Sequence, residues 1–371
     1  MLELIDGNTA VVRAAVDSGC DFFAGYPITP ATSILLEAFE ELVPRGGKVI
    51  QAEDEIASIG MCLAASMAGA KAMTATSGPG LSLYSETIGL AIMGEVPLVI
   101  VDAQRMGPAT GGATASADGD VQFARWGTSG GYPLIVLAPT DVRTAYTLTR
   151  RAFNLAERHR VPVIVLSSKE IALTRQTVDL DVEPPIPVIE RRPHEGASPY
   201  RPYAVSSPED VPRFSPVGGA HLVRFTTSIH DETGVITGER SKILAKLTHL
   251  ERKLSETAEG VSLVDHDLVP AAEVLIVAYG VAAGAARDAL ERLRAQGRKV
   301  SLMVPYTLWP IPETELHRAG NGVRRVVVPE HNFGQYAREV ARLLPHAELR
   351  MIHRVDGGLI QPSEIIREVE S

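Results

Sequence analysis

Cysteine is almost absent from this sequence. Only Cys20 and Cys62 occur in 371 residues, far apart and each beside apolar positions of a predicted helix. Iron–sulfur clusters need four thiolates and Cys-rich zinc sites need several, so both kinds of site are excluded from this chain alone. The ten histidines show no metal-ligand spacing such as HExxH. We therefore predict no metal site here, and any redox centre must lie on another subunit.

Basic patches and long apolar runs are also missing. The formal net charge is −9, and no cluster of Lys and Arg is interleaved with aromatic residues, which argues against nucleic acid as a partner. No apolar run approaches the roughly 18 residues of a membrane span. The first 16 residues start acidic and turn amphipathic, unlike a signal peptide. We expect a cytoplasmic protein without membrane contact.

The composition, with 45% apolar and 22% charged residues, fits two globular domains. Apolar strands alternate with helices in the N-terminal part, which predicts an α/β fold with a doubly wound parallel sheet covered on both faces. A Pro-rich and charge-rich stretch interrupts this pattern, and a second α/β series follows it. We predict a first domain over 1–177, a linker and insert over 178–268, and a second domain over 269–371.

The turn Ser77-Gly78-Pro79-Gly80 joins a predicted strand to a predicted helix. Free backbone N–H groups and the helix N-terminus face whatever lies at this strand end, and ligands collect at the carboxyl ends of parallel strands. Two glycines would let a flat ligand approach the backbone closely. By spacing alone, an ordinary turn is an equally good interpretation.

Three acids, Glu53, Asp54 and Glu55, precede a helix of small residues. Acids at this position most often complement the helix dipole, and Asp54 best fits the N-cap. A metal cluster is disfavoured because adjacent residues point in different directions. The residues themselves leave open whether one of the three carries chemistry.

Four motifs follow one another in the first domain: GYPITP (25–30), EDEIASIG (53–60), TSGPG (76–80) and EVPLVIVDAQRMGPATG (95–111). Together they resemble the alpha subunit of 2-oxoacid:ferredoxin oxidoreductases, with the 2-oxoglutarate enzymes as the nearest group. The run VVVPEHNFGQ (326–335) resembles the transketolase-C-terminal-like domain of that subunit. The resemblance implies a thiamine-diphosphate pyrimidine-binding-type sheet in the first domain and a transketolase-C-terminal-like α/β domain in the second.

The resemblance also implies a catalytic carboxyl group. In thiamine enzymes this group hydrogen-bonds the aminopyrimidine ring and favours the imino tautomer that removes the thiazolium proton. Glu55 is the candidate, because Gly60 and Gly69 follow it at about the spacing of the related pyruvate enzymes. Glu53 remains a competitor under a slightly different alignment.

By the same resemblance, Tyr26 and Pro27 lie against the aminopyrimidine, and Ser77 and Gly78 also bind the cofactor. Two prolines make GYPITP a rigid turn, which suits a loop under a cofactor and an ordinary connector alike. The resemblance favours the first interpretation.

The resemblance assigns substrate binding to Thr29 and Arg105. The Thr29 hydroxyl would reach the 2-oxoacid, and the Arg105 guanidinium offers a forked, permanently charged partner for its carboxylate. One departure concerns the substrate: Ser129-Gly130-Gly131 stands where similar proteins often have His-Gly followed by an acid. A neutral pocket would favour a branched-chain or aromatic oxoacid over 2-oxoglutarate.

The GDG…N element that holds magnesium and diphosphate in thiamine enzymes is missing. Asp118-Gly119-Asp120 lacks the leading glycine, and Asn154 is too distant and within a helix, so we reject this run as a diphosphate site. The resemblance therefore implies a beta subunit that carries Mg²⁺, the diphosphate site and a [4Fe-4S] cluster. It further implies a heterodimer or heterotetramer, with gamma and delta subunits as additional candidates.

The implied reaction is oxidative, reversible decarboxylation of a 2-oxoacid to an acyl-CoA, with coenzyme A as co-substrate and ferredoxin as electron acceptor. Two other interpretations remain open: a non-redox thiamine diphosphate decarboxylase or transferase subunit, and a regulatory α/β subunit without chemistry. For His331 of EHNFGQ, a capping or packing role is favoured over catalysis, and the second domain is expected to serve assembly and subunit contact.

Overall fold

The computed structural model describes residues 1–181, 184–196, 198–254 and 260–371. The predicted linker and insert include residues outside these ranges, namely 182, 183, 197 and 255–259. The described strands are β1 (Leu2–Ile5), β2 (Phe22–Gly25), β3 (Lys48–Gln51), β4 (Ala72–Thr76), β5 (Leu98–Gln104), β6 (Ile135–Leu137), β7 (Pro162–Ser168), β8 (Gln176–Asp179), β9 (Val264–Asp267), β10 (Val274–Val277), β11 (Val300–Pro305), β12 (Thr307–Trp309), β13 (Arg325–Glu330) and β14 (Glu348–His353).

The described helices alternate with these strands. They are α1 (Gly7–Asp17), α2 (Thr32–Leu42), α3 (Glu55–Met67), α4 (Gly78–Met93), α5 (Val121–Trp126), α6 (Val142–His159), α7 (Lys169–Leu173), α8 (Arg240–Arg252), α9 (Ala282–Ala295), α10 (Glu313–Ala319), α11 (Ala337–Leu343) and α12 (Pro362–Glu370). Within the described ranges, none combines the length and apolarity needed to cross a bilayer.

The first sheet confirms the predicted doubly wound architecture. Its strand order is β12-β6-β7-β5-β4-β2-β3, and all neighbours except the β12–β6 pair are parallel. Helices α1, α2 and α6 pack on one face, and α3, α4 and α5 on the other. After β2 the chain forms β3 on one side of β2, and then β4 and β5 on the other side. The order therefore reverses beside β2, and a crevice forms at the strand ends there.

The second sheet has the order β14-β13-β10-β11-β9, with β9 antiparallel to β11. One of its faces shares a hydrophobic core with α4 and α5 of the first sheet. Strand β12, from the second half of the chain, pairs with β6 at the edge of the first sheet, and Trp309 Nε1 donates to the carbonyl of Val121 at 3.1 Å. The two sheets therefore form one continuous packed unit.

The insert is anchored by a buried cluster of charges around Glu95, which follows α4. Lys246 and Lys253 donate to the Glu95 carboxylate at 2.6 and 2.9 Å, and His249 Nε2 lies 2.9 Å from it. All four side chains are buried. These contacts hold α8 and the residue after it against the turn that leads into β5.

Candidate active site

Three neighbouring strands end at one edge of the first sheet and carry most of the predicted site residues. Tyr26, Pro27 and Thr29 follow β2, Ser77 follows β4, and Arg105 follows β5. Because β2, β4 and β5 are adjacent and parallel, their carboxyl ends meet at the same crevice. Motifs separated by up to about 80 positions in sequence are thus brought together.

The structure distinguishes the three acids. Asp54 caps α3 by accepting a hydrogen bond from the Ala57 backbone N–H at 2.7 Å, which confirms the predicted cap. Glu53 is exposed, whereas Glu55 is only 8% exposed at the first position of α3. Burial therefore favours Glu55 over Glu53 as a carboxyl group shielded from water.

Glu55 lies against the first turn of α4. A Cβ atom at Gly80 would be 3.0 Å from Glu55 Oε1 and would collide with the Thr76 hydroxyl. The absence of a side chain at Gly80 therefore makes the space that the Glu55 carboxylate occupies near the end of β4. The first turns of α3 and α4 therefore meet at this carboxylate.

The Ser77 side chain is poised at the same turn. Ser77 is the N-cap residue of α4 and is fully buried, but no hydrogen-bonding partner for its hydroxyl lies in the described part of the chain. A buried hydroxyl without a partner is costly unless a ligand or water completes its bonding. The Ser77 hydroxyl is thus available to a ligand in the crevice.

Arg105 is buried and oriented by the backbone. Its Nη1 donates to the Thr29 carbonyl at 2.6 Å, and its Nη2 to the Thr110 carbonyl at 3.1 Å. Its Nε has no acceptor among the described residues. The structure therefore brings Arg105 and Thr29 together, through the Thr29 backbone, and leaves one guanidinium donor free for an anion. Tyr26 and Thr29 are exposed at the mouth of the crevice.

Sequence reasoning missed Asp102, and it considered Asp118 and Asp120 only as a diphosphate site, which it rejected. In the structure Asp102 and Asp118 are buried behind this turn and Asp120 is half-buried. Burial, with the charges of Asp120 and Asp118, raises the pKa of Asp102 well above its ordinary value. Burial also raises the pKa of Asp118 to about 8, and the pKa of Asp120 to about 6. An aspartate inside the otherwise apolar strand LVIVDAQ was the available signal, because acids are rarely fully buried.

The second sheet holds the loop that carries these acids. Asn332 Nδ2 donates to the Asp118 carbonyl at 2.8 Å, and Gln335 Nε2 donates to the Gly119 carbonyl at 2.6 Å. His331 is buried and accepts a hydrogen bond from the Ile360 N–H at 3.1 Å. Residues of EHNFGQ thus make contacts between the two sheets, and His331 has the geometry of a packing residue.

Two predicted features lie away from the crevice. Asn154, on α6, bonds the backbone of Pro187 and Ile189 rather than Asp118. Ser129 and its neighbours line a cavity of about 230 Å³ beside Gly89. Gly89 lies eleven residues after Gly78 on α4, which corresponds to about 16 Å along the helix. Ser129 therefore lies away from the crevice that carries the candidate site residues.

Replacing Gly80 by alanine is expected to destabilise the protein by about 1–3 kcal/mol, because the new methyl group collides with Thr76 and Glu55. Gly60→Ala is the matched control: a Cβ there meets nothing within 4 Å, and alanine should stabilise α3 by about 0.5–1 kcal/mol. Urea unfolding of both variants measures the difference. Equal effects would contradict the tight packing at Gly80.

Comparison with family profiles covers nearly the whole chain. Residues 13–246 match the profile described as "Pyruvate flavodoxin/ferredoxin oxidoreductase, thiamine diP-bdg". Residues 272–365 match "Pyruvate:ferredoxin oxidoreductase core domain II". The first match contains all the candidate site residues at the crevice.

Curated relatives and solved structures agree with these matches. The chain is 38% identical to the 2-oxoglutarate synthase subunit KorA of Methanocaldococcus jannaschii, covering 99% of each, and 32% identical to the ketoisovalerate oxidoreductase subunit VorB of Methanothermobacter thermautotrophicus, covering 99% of this chain and 97% of the relative. It superposes with a TM-score of 0.94 and 35% identity on 2-oxoglutarate:ferredoxin oxidoreductase from Magnetococcus marinus, with 2-oxoglutarate, coenzyme A and succinyl-CoA bound, covering 100% of this chain and 65% of that one. A split-gene transketolase, 12% identical with a TM-score of 0.57, shares the fold, covering 99% of this chain and 97% of that one.

Proposed function

Because this chain belongs to the family of thiamine diphosphate-binding pyruvate flavodoxin/ferredoxin oxidoreductases, we propose that it is the alpha subunit of a 2-oxoacid:ferredoxin oxidoreductase that acts on 2-oxoglutarate. The observation that carries the proposal is the convergence of Glu55, Ser77 and Arg105 at one crevice. The names of the relatives with the highest identity support the choice of 2-oxoglutarate.

The crevice fits the aminopyrimidine half of thiamine diphosphate. The buried Ser77 hydroxyl and Arg105 Nε await partners that the described residues do not supply, and Gly80 leaves room for the Glu55 carboxylate beside the same turn. When bound, this cofactor supplies the nucleophilic carbon that attacks the 2-oxo carbonyl and accommodates the electrons left by the departing CO₂. Tyr26 and Pro27 would form the wall of the same ring pocket.

Glu55 would hold the ring in its reactive tautomer. Its carboxyl group is shielded from water, so a hydrogen bond to a ring nitrogen there is stronger than in solution. Holding a proton at a ring nitrogen is the role that this geometry supports.

Arg105 and Thr29 would bind and orient the oxoacid. The two backbone acceptors of Arg105 fix the guanidinium plane, so the free Nε–H can pair with a substrate carboxylate at little entropic cost. The exposed Thr29 hydroxyl lies on the loop that Arg105 holds and could donate to the 2-oxo group.

Arg105→Lys is expected to raise KM for the oxoacid by about 10- to 100-fold, with a smaller fall in kcat, because a lysine ammonium group lacks the planar, forked donors with which arginine binds two carbonyls and still points a third N–H in a fixed direction. Arg143→Lys is the control, since exposed Arg143 lies on α6 at the opposite face of the sheet. Steady-state viologen reduction measures both variants. An unchanged KM in Arg105→Lys would contradict the substrate role.

A partner subunit completes the proposed enzyme. In the described part of the chain, no group of three or more His, Cys, Asp or Glu side chains is arranged to hold a metal ion, and both cysteines are free and buried. We assign Mg²⁺, the diphosphate site and a [4Fe-4S] cluster to a beta subunit, with ferredoxin as acceptor and coenzyme A as acyl acceptor. Gamma and delta subunits are further candidates for the complex.

The test is to co-purify this chain with the product of a neighbouring gene and measure oxoacid-driven, coenzyme A-dependent viologen reduction. With 2-oxoglutarate, kcat/KM should exceed that with pyruvate, 3-methyl-2-oxobutanoate and phenylpyruvate by at least about 10-fold. A preference for 3-methyl-2-oxobutanoate would instead favour the branched-chain activity named for the relative at 32% identity. Decarboxylation without viologen reduction would favour a non-redox enzyme, and no activity in the pair a regulatory subunit.

A further inference from the structure

Two carboxyl groups, those of Asp102 and Asp120, lie within hydrogen-bonding distance of each other behind the first turn of α4. Asp102 pairs with Thr76 in the β4–β5 register and is fully buried, so it lies directly beneath the turn at Ser77. Asp120 Oδ2 is 3.0 Å from the position that a Cβ of Gly78 would occupy. The pair therefore backs the part of the crevice assigned to the cofactor.

The side chains of Gln104 and Arg105 donate no hydrogen bond to this pair. Gln104 Nε2 donates to the Ser167 carbonyl, and Gln104 Oε1 accepts from the Asp120 backbone. Both terminal nitrogens of Arg105 bind backbone carbonyls. Among the described residues, no donor reaches either oxygen of Asp102 or Oδ2 of Asp120. Two carboxyl groups in contact can bond only if one of them carries a proton.

We propose that Asp102 stays protonated and donates to Asp120, and that this bond positions the Asp118–Asp120 loop against the Ser77–Gly78 turn. The inference rests on the proposed function. The proton removes one negative charge from the wall of a site that must admit an anionic oxoacid, and two unpaired charges there would repel it. Asp102 is thus a positioning residue that acts through Asp120.

The charges around the pair favour this protonation state. Asp118 raises the pKa of Asp102 further, and Glu170 and Glu330 in turn raise the pKa of Asp118. Arg105 lowers the pKa of both Asp102 and Asp120, but burial outweighs it. Burial also lowers the pKa of His331, which leaves that side chain neutral near pH 7. Of the two acids, Asp102 is the more buried and its pKa lies further above the ordinary value, so it holds the proton.

The first test is the pH dependence of thermal unfolding of the full chain. In the unfolded chain Asp102 loses its proton near pH 4, but in the folded chain it keeps the proton, so the wild type loses stability as pH rises above that value. Asp102→Asn cannot ionise. Between pH 5 and pH 8, the unfolding temperature of Asp102→Asn should therefore rise relative to that of the wild type by roughly 5 °C.

Two variants serve as controls for unfolding. Asp288→Asn, an exposed change on α9, should follow the wild type at every pH. The proposal would be overturned if the difference in unfolding temperature between Asp102→Asn and the wild type were the same at every pH. It would also be overturned if Asp120→Asn, and not Asp102→Asn, showed the pH-dependent rise. If Asp102→Asn does not fold, infrared spectroscopy of Asp118→Asn decides: a protonated carboxyl band at pH 7.5 supports the proposal, and its absence overturns it.

The second test uses the assembled complex and thiamine diphosphate binding by calorimetry. Asp102→Ala, which leaves Asp120 without its donor, should raise the dissociation constant at least about 10-fold. Asp102→Asn retains a donor, so its dissociation constant should stay within about 3-fold of that of the wild type. Equal losses in both variants would overturn the proposal, because they would require an ionised Asp102.

The pH dependence of oxoacid binding separates positioning from general destabilisation. KM of the wild type should rise at alkaline pH, where Asp102 loses its proton, and Asp102→Asn should remove this rise. If Asp118→Asn removed this rise in KM and Asp102→Asn did not, the assignment of the proton to Asp102 would be overturned. If the complex oxidises no oxoacid, the proposed function fails, but the unfolding experiment still decides the protonation of Asp102, since it needs no substrate.

Discussion

Replacing Glu55 by glutamine is expected to lower kcat of the assembled enzyme by roughly 100- to 10,000-fold, the usual contribution of a positioned acid or base. Glutamine preserves the size of the side chain, and the buried position at the start of α3 should accept it. Its amide cannot transfer a proton to or from a ring nitrogen as a carboxyl group can. Oxoacid-driven viologen reduction under saturating substrate is the measurement.

Glu53→Gln is the matched control, since it makes the same chemical change two residues away on an exposed side chain. Its kcat should stay within about 2-fold of the wild type, because surface substitutions seldom have larger effects. Loss of turnover in Glu53→Gln alone would transfer the catalytic assignment to Glu53. Full turnover in both variants would refute a carboxyl group from this segment.

Replacing Glu95 by alanine is expected to destabilise the protein by about 3–5 kcal/mol, the cost of breaking a buried ion pair. Burial raises the pKa of Glu95, but its contacts with Lys246, Lys253 and His249 outweigh burial and hold this pKa well below its ordinary value. Without the carboxylate, two lysines would remain buried without their acid partner. Urea unfolding followed by circular dichroism measures the loss.

The control for this variant is Glu209→Ala, which removes a surface carboxylate that contacts α8 through Arg252. Glu209 and Arg252 are 3.9 Å apart and mostly exposed, so the loss should be below about 1 kcal/mol. Equal losses would contradict a special role for Glu95. A large loss at Glu95 alone would mean that α8 stabilises the turn before β5, whose far end carries Asp102 and Arg105.

Local patterns were sufficient for most elements of the fold. The alternation of apolar strands and helices predicted the parallel first sheet. Strand β12 was missed because three residues carry little periodicity and its partner β6 is distant in sequence. Its pairing across the two halves of the chain depends on how the two sheets pack.

The candidate site shows the same division. The order of four motifs identified the family, and the cap by Asp54 could be predicted because a cap depends on residues within one helical turn. Sequence left Glu53 and Glu55 as competitors, since burial is not a property of neighbouring residues. The contact of Asp102 with Asp120 was not predictable either, because it requires the second sheet to hold the Asp118–Asp120 loop.

The sequence by itself determined the fold class, the family and the absence of cysteine ligands for a cluster, since each depends on composition or on short ordered motifs. Only the tertiary structure decided which acid is shielded, which nitrogen of Arg105 has no acceptor among the described residues and which carboxyl groups lie together. The physical reason is that burial and hydrogen bonding depend on distances between atoms from remote segments. Those distances exist only after the strands β2, β4 and β5 have been brought side by side.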